Sequence, residues 1–218
     1  LTSAGDSDVF IAKLNADGSY AWATKAGGSS GDYGRGITSL SDGSSIVTGG
    51  FSGTASFGGT TLTSAGDYDV FIAKLNADGS FAWATKAGGV NTDQGLGISS
   101  LSDGSSIITG AFEGSASFGD TTLTSTSNPL RIDRIRRDVF IAKLNADGTY
   151  AWATKAGGSS NEYGYSIASL SDGSSIVTGE FQNTASFGDT TLTSAGSFDA
   201  FIAKLSPNGS WDITPPAA

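Results

Sequence analysis

The segment DVFIAKLNADG stands at 8–18, 69–79 and 138–148, and it returns with drift as DAFIAKLSPNG at 199–209. The spacings are 61, 69 and 61 residues. AWATKAGG follows at 21–28, 82–89 and 151–158, SLSDGSSI recurs at 39–46, 100–107 and 169–176, and ASFG and TTLTS complete the unit. A unit of this kind cannot bury both faces of its own sheet, so neighbouring units must stack on one another.

Within one unit the pattern is all β. VFIAKL and AWATKAGG are joined by NADGS, and GITSL and SIVTGGF by SDGS. Asp-Gly between two β-prone runs signals a hairpin, because glycine takes the positive φ of the turn. No stretch carries a helical 3.6-residue period. Runs such as Val9-Phe10-Ile11-Ala12 are apolar on both faces, which suits a strand held between neighbouring sheets. ASFG and TTLTS form a weaker ribbon. The expected fold is a β-propeller built from four-stranded blades of about 61 residues, with a β-solenoid as the alternative. Four strands are too few for an array of independent sandwiches.

The expected organisation is one β-repeat domain over 1–218, with a half unit at 8–28 and units near 33–89, 94–158 and 163–213. Three and a half blades do not close by themselves, since propellers have about four to eight. A larger ring, an oligomer or a swapped C-terminal hairpin would complete them. SPNGSWDITPPAA, with Pro207, Pro215 and Pro216, ends the array. The absence of Met marks the sequence as a processed or excised piece of a longer protein.

Composition narrows the chemistry. The chain has 38% hydrophobic and 15% charged residues, too apolar for a disordered polymer. It contains no Cys and no His, which removes thiol and Ser-His-Asp catalysis and His-based zinc sites. No Gly-Lys-Ser/Thr phosphate loop occurs. The net charge of −9 argues against nucleic-acid binding and for solubility. No apolar run approaches membrane-spanning length, so membrane insertion is not expected.

Carboxylates remain. Asp17, Asp78 and Asp147, like Asp42, Asp103 and Asp172, recur in the turns and are read as turn formers. Asp32, Asp93 and Glu162 share one repeat position and are read as solvated loop acids arranged as a ring. Asp8 and Lys13 recur as a charge pair that solvates an edge and fixes register. Trp22, Trp83 and Trp152 recur at one position and are expected to pack blade against blade.

Binding residues belong where the units differ, because the shared residues are accounted for by the scaffold. Differences cluster at 29–36, 90–97 and 159–166, and again at 50–53, 111–114 and 180–183. The first set supplies Tyr33, Arg35, Gln94, Tyr163 and Tyr165, with Leu96 among them; Tyr and Arg are favoured contact residues. The second candidate is the stretch 125–138, where other units have six residues. It holds Arg131, Arg134, Arg136 and Arg137 interleaved with Leu130, Ile132 and Ile135. Arginine suits bidentate contacts to carboxylate or phosphate. With Asp133 the segment 130–137 carries +3, so the rest of the chain sits at −12.

The spacing Asp-x-Phe-Ile-x-Lys-Leu at 69–75, followed by Gly79, Phe81, Trp83 and Gly88-Gly89, carries a resemblance. So do Tyr163-Gly164, Ile167, Asp172-Gly173 and Ile176-Val177-Thr178-Gly179. This pattern resembles the bacterial β-propeller repeat of the SBBP type over nearly the whole chain. The resemblance implies a propeller in secreted, surface or virion proteins and carries no catalytic residues. The TASFGGTTLTSAG ribbon and the arginine insert depart from it.

The expectation is therefore a non-enzymatic structural or interaction scaffold of an extracellular surface protein or viral fibre. It would use no cofactor, engage a protein or glycan partner, and work as a homo-oligomer or within a larger assembly. The alternative is a carbohydrate-binding adhesion propeller. A carboxylate glycosidase is the third possibility.

Overall fold

The Asp-Gly turns set the local structure. In a computed structural model that describes residues 1–126 and 136–212, Gly18 N–H donates to the Asn15 carbonyl at 3.0 Å. The Asp17 carboxylate accepts the Ser19 amide at 2.9 Å and the Ser19 hydroxyl at 2.6 Å. Asn76–Ser80 and Asn145–Thr149 repeat this geometry. Asp42, Asp103 and Asp172 accept from the serine two residues on in the other turns. The turn reading of these six acids holds.

The strands follow in order. The first hairpin is β1 (Val9–Leu14) and β2 (Tyr20–Gly28). Then come β3 (Asp32–Ser39), β4 (Ser45–Phe51), the short β5 (Thr54–Phe57) and β6 (Thr60–Thr63), β7 (Asp69–Leu75) and β8 (Phe81–Gly89). The next set is β9 (Gln94–Ser100), β10 (Ser106–Glu113), β11 (Ser115–Phe118), β12 (Thr121–Thr124), β13 (Arg137–Leu144) and β14 (Tyr150–Gly158). The last is β15 (Glu162–Ser169), β16 (Ser175–Phe187), β17 (Thr190–Leu205) and β18 (Trp211–Asp212).

Strands β3-β4-β7-β8 form an antiparallel meander, as do β9-β10-β13-β14 and β15-β16-β17-β18. The hairpin β1-β2 matches the outer half of such a meander. No sheet closes on itself among the described residues. The ribbon does something the sequence did not announce. Strand β5 leaves its own unit and pairs with β2 of the preceding one, Gly27 opposite Ser56 and Gly28 opposite Ala55. Strand β11 straps β8, and the end of β16 straps β14, in the same way.

Strand alternation sends one face of each meander forward and the other back. Ile46, Val70 and Ile72 of the first meander pack against Ile98, Ile108 and Phe140 of the second. Ile107, Val139 and Ile141 meet Ile167, Val177 and Phe201 of the third. Val9 and Ile11 meet Val47 and Phe71. Each ribbon adds a phenylalanine to its core: Phe118 lies 4.8 Å from Phe140 and edge-on to Tyr150 at 6.0 Å.

The tryptophans latch successive units, as expected, but from half-buried positions. Trp22 donates its indole N–H to the Ala77 carbonyl at 3.0 Å, Trp83 to Ala146 at 3.2 Å and Trp152 to Pro207 at 3.3 Å. Each ring covers the glycine of the next unit's turn. A Cβ on Gly79 would lie 2.7 Å from the Trp22 ring, and Gly79 holds φ at +86°. First strands meet first strands through hydroxyls, Thr38 to Ser100 at 3.1 Å and Ser99 to Ser169 at 2.9 Å.

Candidate functional site

Two constellations sit where consecutive units join. The first is a buried corner repeated three times. At the second corner Asp93 precedes β9, where its carboxylate accepts the Gly89 amide at 2.7 Å and the Glu113 amide at 3.0 Å. It thereby ties the end of β8, the start of β9 and the end of β10. Asp32 does the same with Gly28 at 2.8 Å and Ser52 at 3.4 Å, and Glu162 accepts from Gly158 at 2.9 Å. All three acids are buried. This corrects the expectation of solvated loop carboxylates: they cap backbone amides that three strand ends leave unpaired.

Facing each acid is a second carboxylate, Asp8, Asp69 or Asp138, at the start of the third strand. Its partner also corrects the sequence reading. Asp69 pairs with Lys86 at 2.8 Å, Asp138 with Lys155 at 2.7 Å and Asp8 with Lys25 at 3.4 Å, across the hairpin rather than along the strand. The two carboxylates converge above a glycine: a Cβ on Gly88 would lie 2.7 Å from Asp69 Oδ1 and 2.9 Å from Asp93 Oδ2. Two acids and one lysine bring more acid than base into a buried site. Burial is the main cause that drives Asp93 and Glu162 up to about 7, and it raises Asp32 and Asp138 as well. Asp69 Oδ1 accepts no hydrogen bond among the described residues.

The second constellation is at the surface, with Tyr33, Arg35 and Tyr165 exposed and Tyr68, Gln94, Arg137 and Tyr163 half-buried. Tyr33 on β3 lies 6.0 Å from Tyr68, ring to ring, and the Arg35 guanidinium stands 5.6 Å from the Tyr33 ring. Gln94 on β9 approaches the same place, since a Cβ on Gly50 would meet Gln94 Cγ at 3.6 Å and Tyr68 Cδ1 at 3.8 Å. One unit later Arg137 donates to Glu113 at 2.6 Å and lies 5.7 Å from the Tyr163 ring. Tyr163 and Tyr165 run parallel, 5.9 Å apart with 6° between planes, and the Tyr165 hydroxyl donates to Glu180 at 2.6 Å. Burial, and then the hydrogen bond to Glu180 and its charge, raise the Tyr165 hydroxyl.

The structure thus gathers Tyr33, Arg35 and Gln94 at one junction and Arg137, Tyr163 and Tyr165 at the next. Arg136 is half-buried beside the second group. Arg131 and Arg134 lie outside the described residues. Sequence comparison missed Tyr68, whereas Glu113 and Glu180 fall in the second set of variable stretches, 111–114 and 180–183. Tyr68 shares its repeat position with Ser7, Arg137 and Phe198, so four side chains at one register were the available signal.

A family model described as "Domain of unknown function (DUF5122) beta-propeller" matches residues 57–81, from the end of β5 to the first residue of β8. No curated protein matches the chain. The all-β architecture and this match agree on a propeller-like repeat.

Proposed function

We propose that the chain is a non-enzymatic interaction scaffold, a β-propeller of SBBP-type blades of about 61 residues, displayed on an extracellular surface or virion fibre. One observation carries the reading. Residues that the units share are consumed by turns, cores and corner caps, whereas residues that differ gather at the exposed junctions. Tyr33, Arg35 and Gln94, then Arg137, Tyr163 and Tyr165, would hold the partner there; Arg131, Arg134 and Arg136, which precede Arg137 in the sequence, are proposed as further contacts. The carboxylate pairs speak against a glycosidase, since both members are buried and engaged with backbone amides or lysine. Turnover of any member of a panel of chromogenic glycosides, esters and phosphates would refute the scaffold reading.

A glycan partner has a specific observation in its favour. The parallel Tyr163 and Tyr165 rings, the latter 46% exposed, adjoin Arg137 and Glu180, a pairing of aromatic face and polar edge that suits a sugar ring. A glycan array with the chain and its Tyr165→Ala variant separates the readings. Binding lost in the variant at unchanged melting temperature supports the lectin; no binding by the parent chain removes it.

A further inference from the structure

Not every residue that the units share is consumed by the fold. The turn that joins β3 to β4 and the turn that joins β9 to β10 both read SLSDGS, at 39–44 and 100–105. Hydrogen bonds hold the two turns side by side. The Ser100 hydroxyl donates to the Ser39 carbonyl at 3.0 Å and accepts from the Thr38 hydroxyl at 3.1 Å. Between the turns opens a cleft of about 380 Å³, lined by Leu40, Ser41, Asp42, Lys74, Ser102 and Asp103 among others. That volume lies within the range of small-molecule sites, about 300–1,000 Å³.

The lining has polar capacity that the fold leaves unused. Asp42 and Asp103 each accept the amide and hydroxyl of the serine two residues on through Oδ1, whereas Oδ2 accepts nothing among the described residues. These bonds hold both carboxyls below the usual carboxylate range, so both are ionised at neutral pH. The Ser41 and Ser102 hydroxyls have no hydrogen-bond partner among the described residues. Lys74 is half-buried and stands near Asp42 without forming an ion pair among them. Leu40 and Leu101, both half-buried, add apolar surface. The ammonium opposes a metal ion, and the surplus of carboxylate opposes a phosphate or sulfate. A neutral ring bearing hydroxyls meets the whole set. It donates to carboxylate, accepts from ammonium and lays its C–H groups on leucine.

We infer that this cleft is a saccharide subsite for one neutral hexose unit, with Asp42 and Asp103 accepting from its hydroxyls and Lys74 and Ser102 donating to them. The site is distinct from the Tyr- and Arg-bearing junctions and does not rest on them. It also recurs. Ser102, Asp103, Lys143, Ser171 and Asp172 bring the same residue types to the next pair of turns. There the Ser169 hydroxyl donates to the Ser100 carbonyl at 2.6 Å, as Ser100 does to Ser39. Successive subsites built from like turns suit a polysaccharide better than a free sugar, because linked contacts raise avidity by about 10²–10⁴ when one strand reaches both.

The probes are the methyl glycosides of glucose, galactose and mannose, titrated into isotope-labelled chain and followed by amide chemical shifts. The expected result is a saturable shift of the Ser41, Ser102 and Gly104 amides with at least one of them, at a dissociation constant on the order of 1 mM for so small a contact. Lys74→Met should weaken that binding about tenfold, since it removes a charged donor, and Ser102→Ala by less. Neither side chain makes a hydrogen bond within the fold, and unchanged melting temperatures check that both variants are intact. If no glycoside moves these amides, the subsite is overturned. A shift centred on Tyr163 and Tyr165 overturns it too, because the sugar then sits at the surface junction. So does binding that both variants retain in full. All three results leave the scaffold reading in place, which substrate turnover alone would sink.

Discussion

The corner acids make stability depend on pH in an unusual direction. Asp93 and Glu162 titrate at about 7 in the folded chain and near 4 once unfolded. Between those values the folded chain binds more protons than the unfolded one, so stability falls as pH rises from about 4 to about 7 and levels off above. A tenfold change in proton affinity is worth about 1.4 kcal/mol, which sets a ceiling of about 4 kcal/mol per acid. Relaxation of the corner would halve it, leaving about 4 kcal/mol for the two. About two thirds of that, roughly 2.7 kcal/mol, falls between pH 5 and pH 8, so at roughly 2–4 °C per kcal/mol for a chain of this size the melting temperature should drop by about 5–11 °C across that range. The turn acids act oppositely. Hydrogen bonds from Ser19, Ser44, Ser80, Ser105, Thr149 and Ser174 hold Asp17, Asp42, Asp78, Asp103, Asp147 and Asp172 below the usual carboxylate range, so their contribution is lost as pH falls below about 4. The optimum therefore lies in mild acid. Asp93→Asn cannot ionise and gives up one accepted amide, costing about 1–3 kcal/mol at pH 5. Near pH 8 it should approach the parent. Calorimetry of both proteins from pH 4 to pH 9 decides the matter. A parent melting temperature that is flat or rising across pH 5–8, or an Asp93→Asn profile parallel to the parent's, would refute the buried-proton argument.

Trp83→Ala should cost about 2–3 kcal/mol, because the half-buried ring loses its cover over Gly148 and its bond to the Ala146 carbonyl. A loss below about 1 kcal/mol in chemical denaturation would mean that the tryptophans do not latch the units. Gly79→Ala and Gly18→Ala meet the same backbone demand, φ +86° and +83°, but only Gly79 faces a tryptophan, so it should be the more damaging by at least about 1 kcal/mol; equal melting temperatures would count against the latch. The triple change Ser52→Glu, Tyr68→Arg, Gln94→Tyr should rebuild the Glu113–Arg137–Tyr163 group one unit earlier, with stability changed by no more than about 1 kcal/mol. A melting temperature lowered by more than about 5 °C would show that the junctions are not interchangeable.

What could be seen in the sequence, and what could not, divides by the range of the interaction. Hairpins declare themselves locally: Asp17-Gly18 needs only the left-handed glycine and the carboxylate that caps Ser19, both within five residues. The ribbon pairs with a strand about thirty residues back. Nothing in TASF or TTLT says that the partner is Gly27-Gly28 rather than the unit's own edge. The Asp8–Lys13 error had a local remedy. Residues five apart on a strand point to opposite faces, so Lys13 could not reach Asp8, whereas Lys25 lies across the hairpin beside it. The corner acids had none. A carboxylate in a Gly- and Ser-rich loop reads as solvated, and its burial follows only once three strand ends converge with amides to satisfy.

That convergence also explains where variation is tolerated. The buried carboxylate of Asp69 accepts the Ala65 amide at 3.0 Å and binds Lys86, which fixes the backbone through position 68 whatever stands there. The side chain before it therefore carries no folding duty. Ser7, Tyr68, Arg137 and Phe198 occupy that one register with four chemistries, and only the aromatic and the cation among the described junctions recruit neighbours, Tyr33 for Tyr68 and Glu113 with Tyr163 for Arg137. A buried charge that rigidifies each corner is thus what leaves the adjoining exposed position free to differ. The conserved interior and the varied surface of this repeat are two consequences of the same hydrogen bonds.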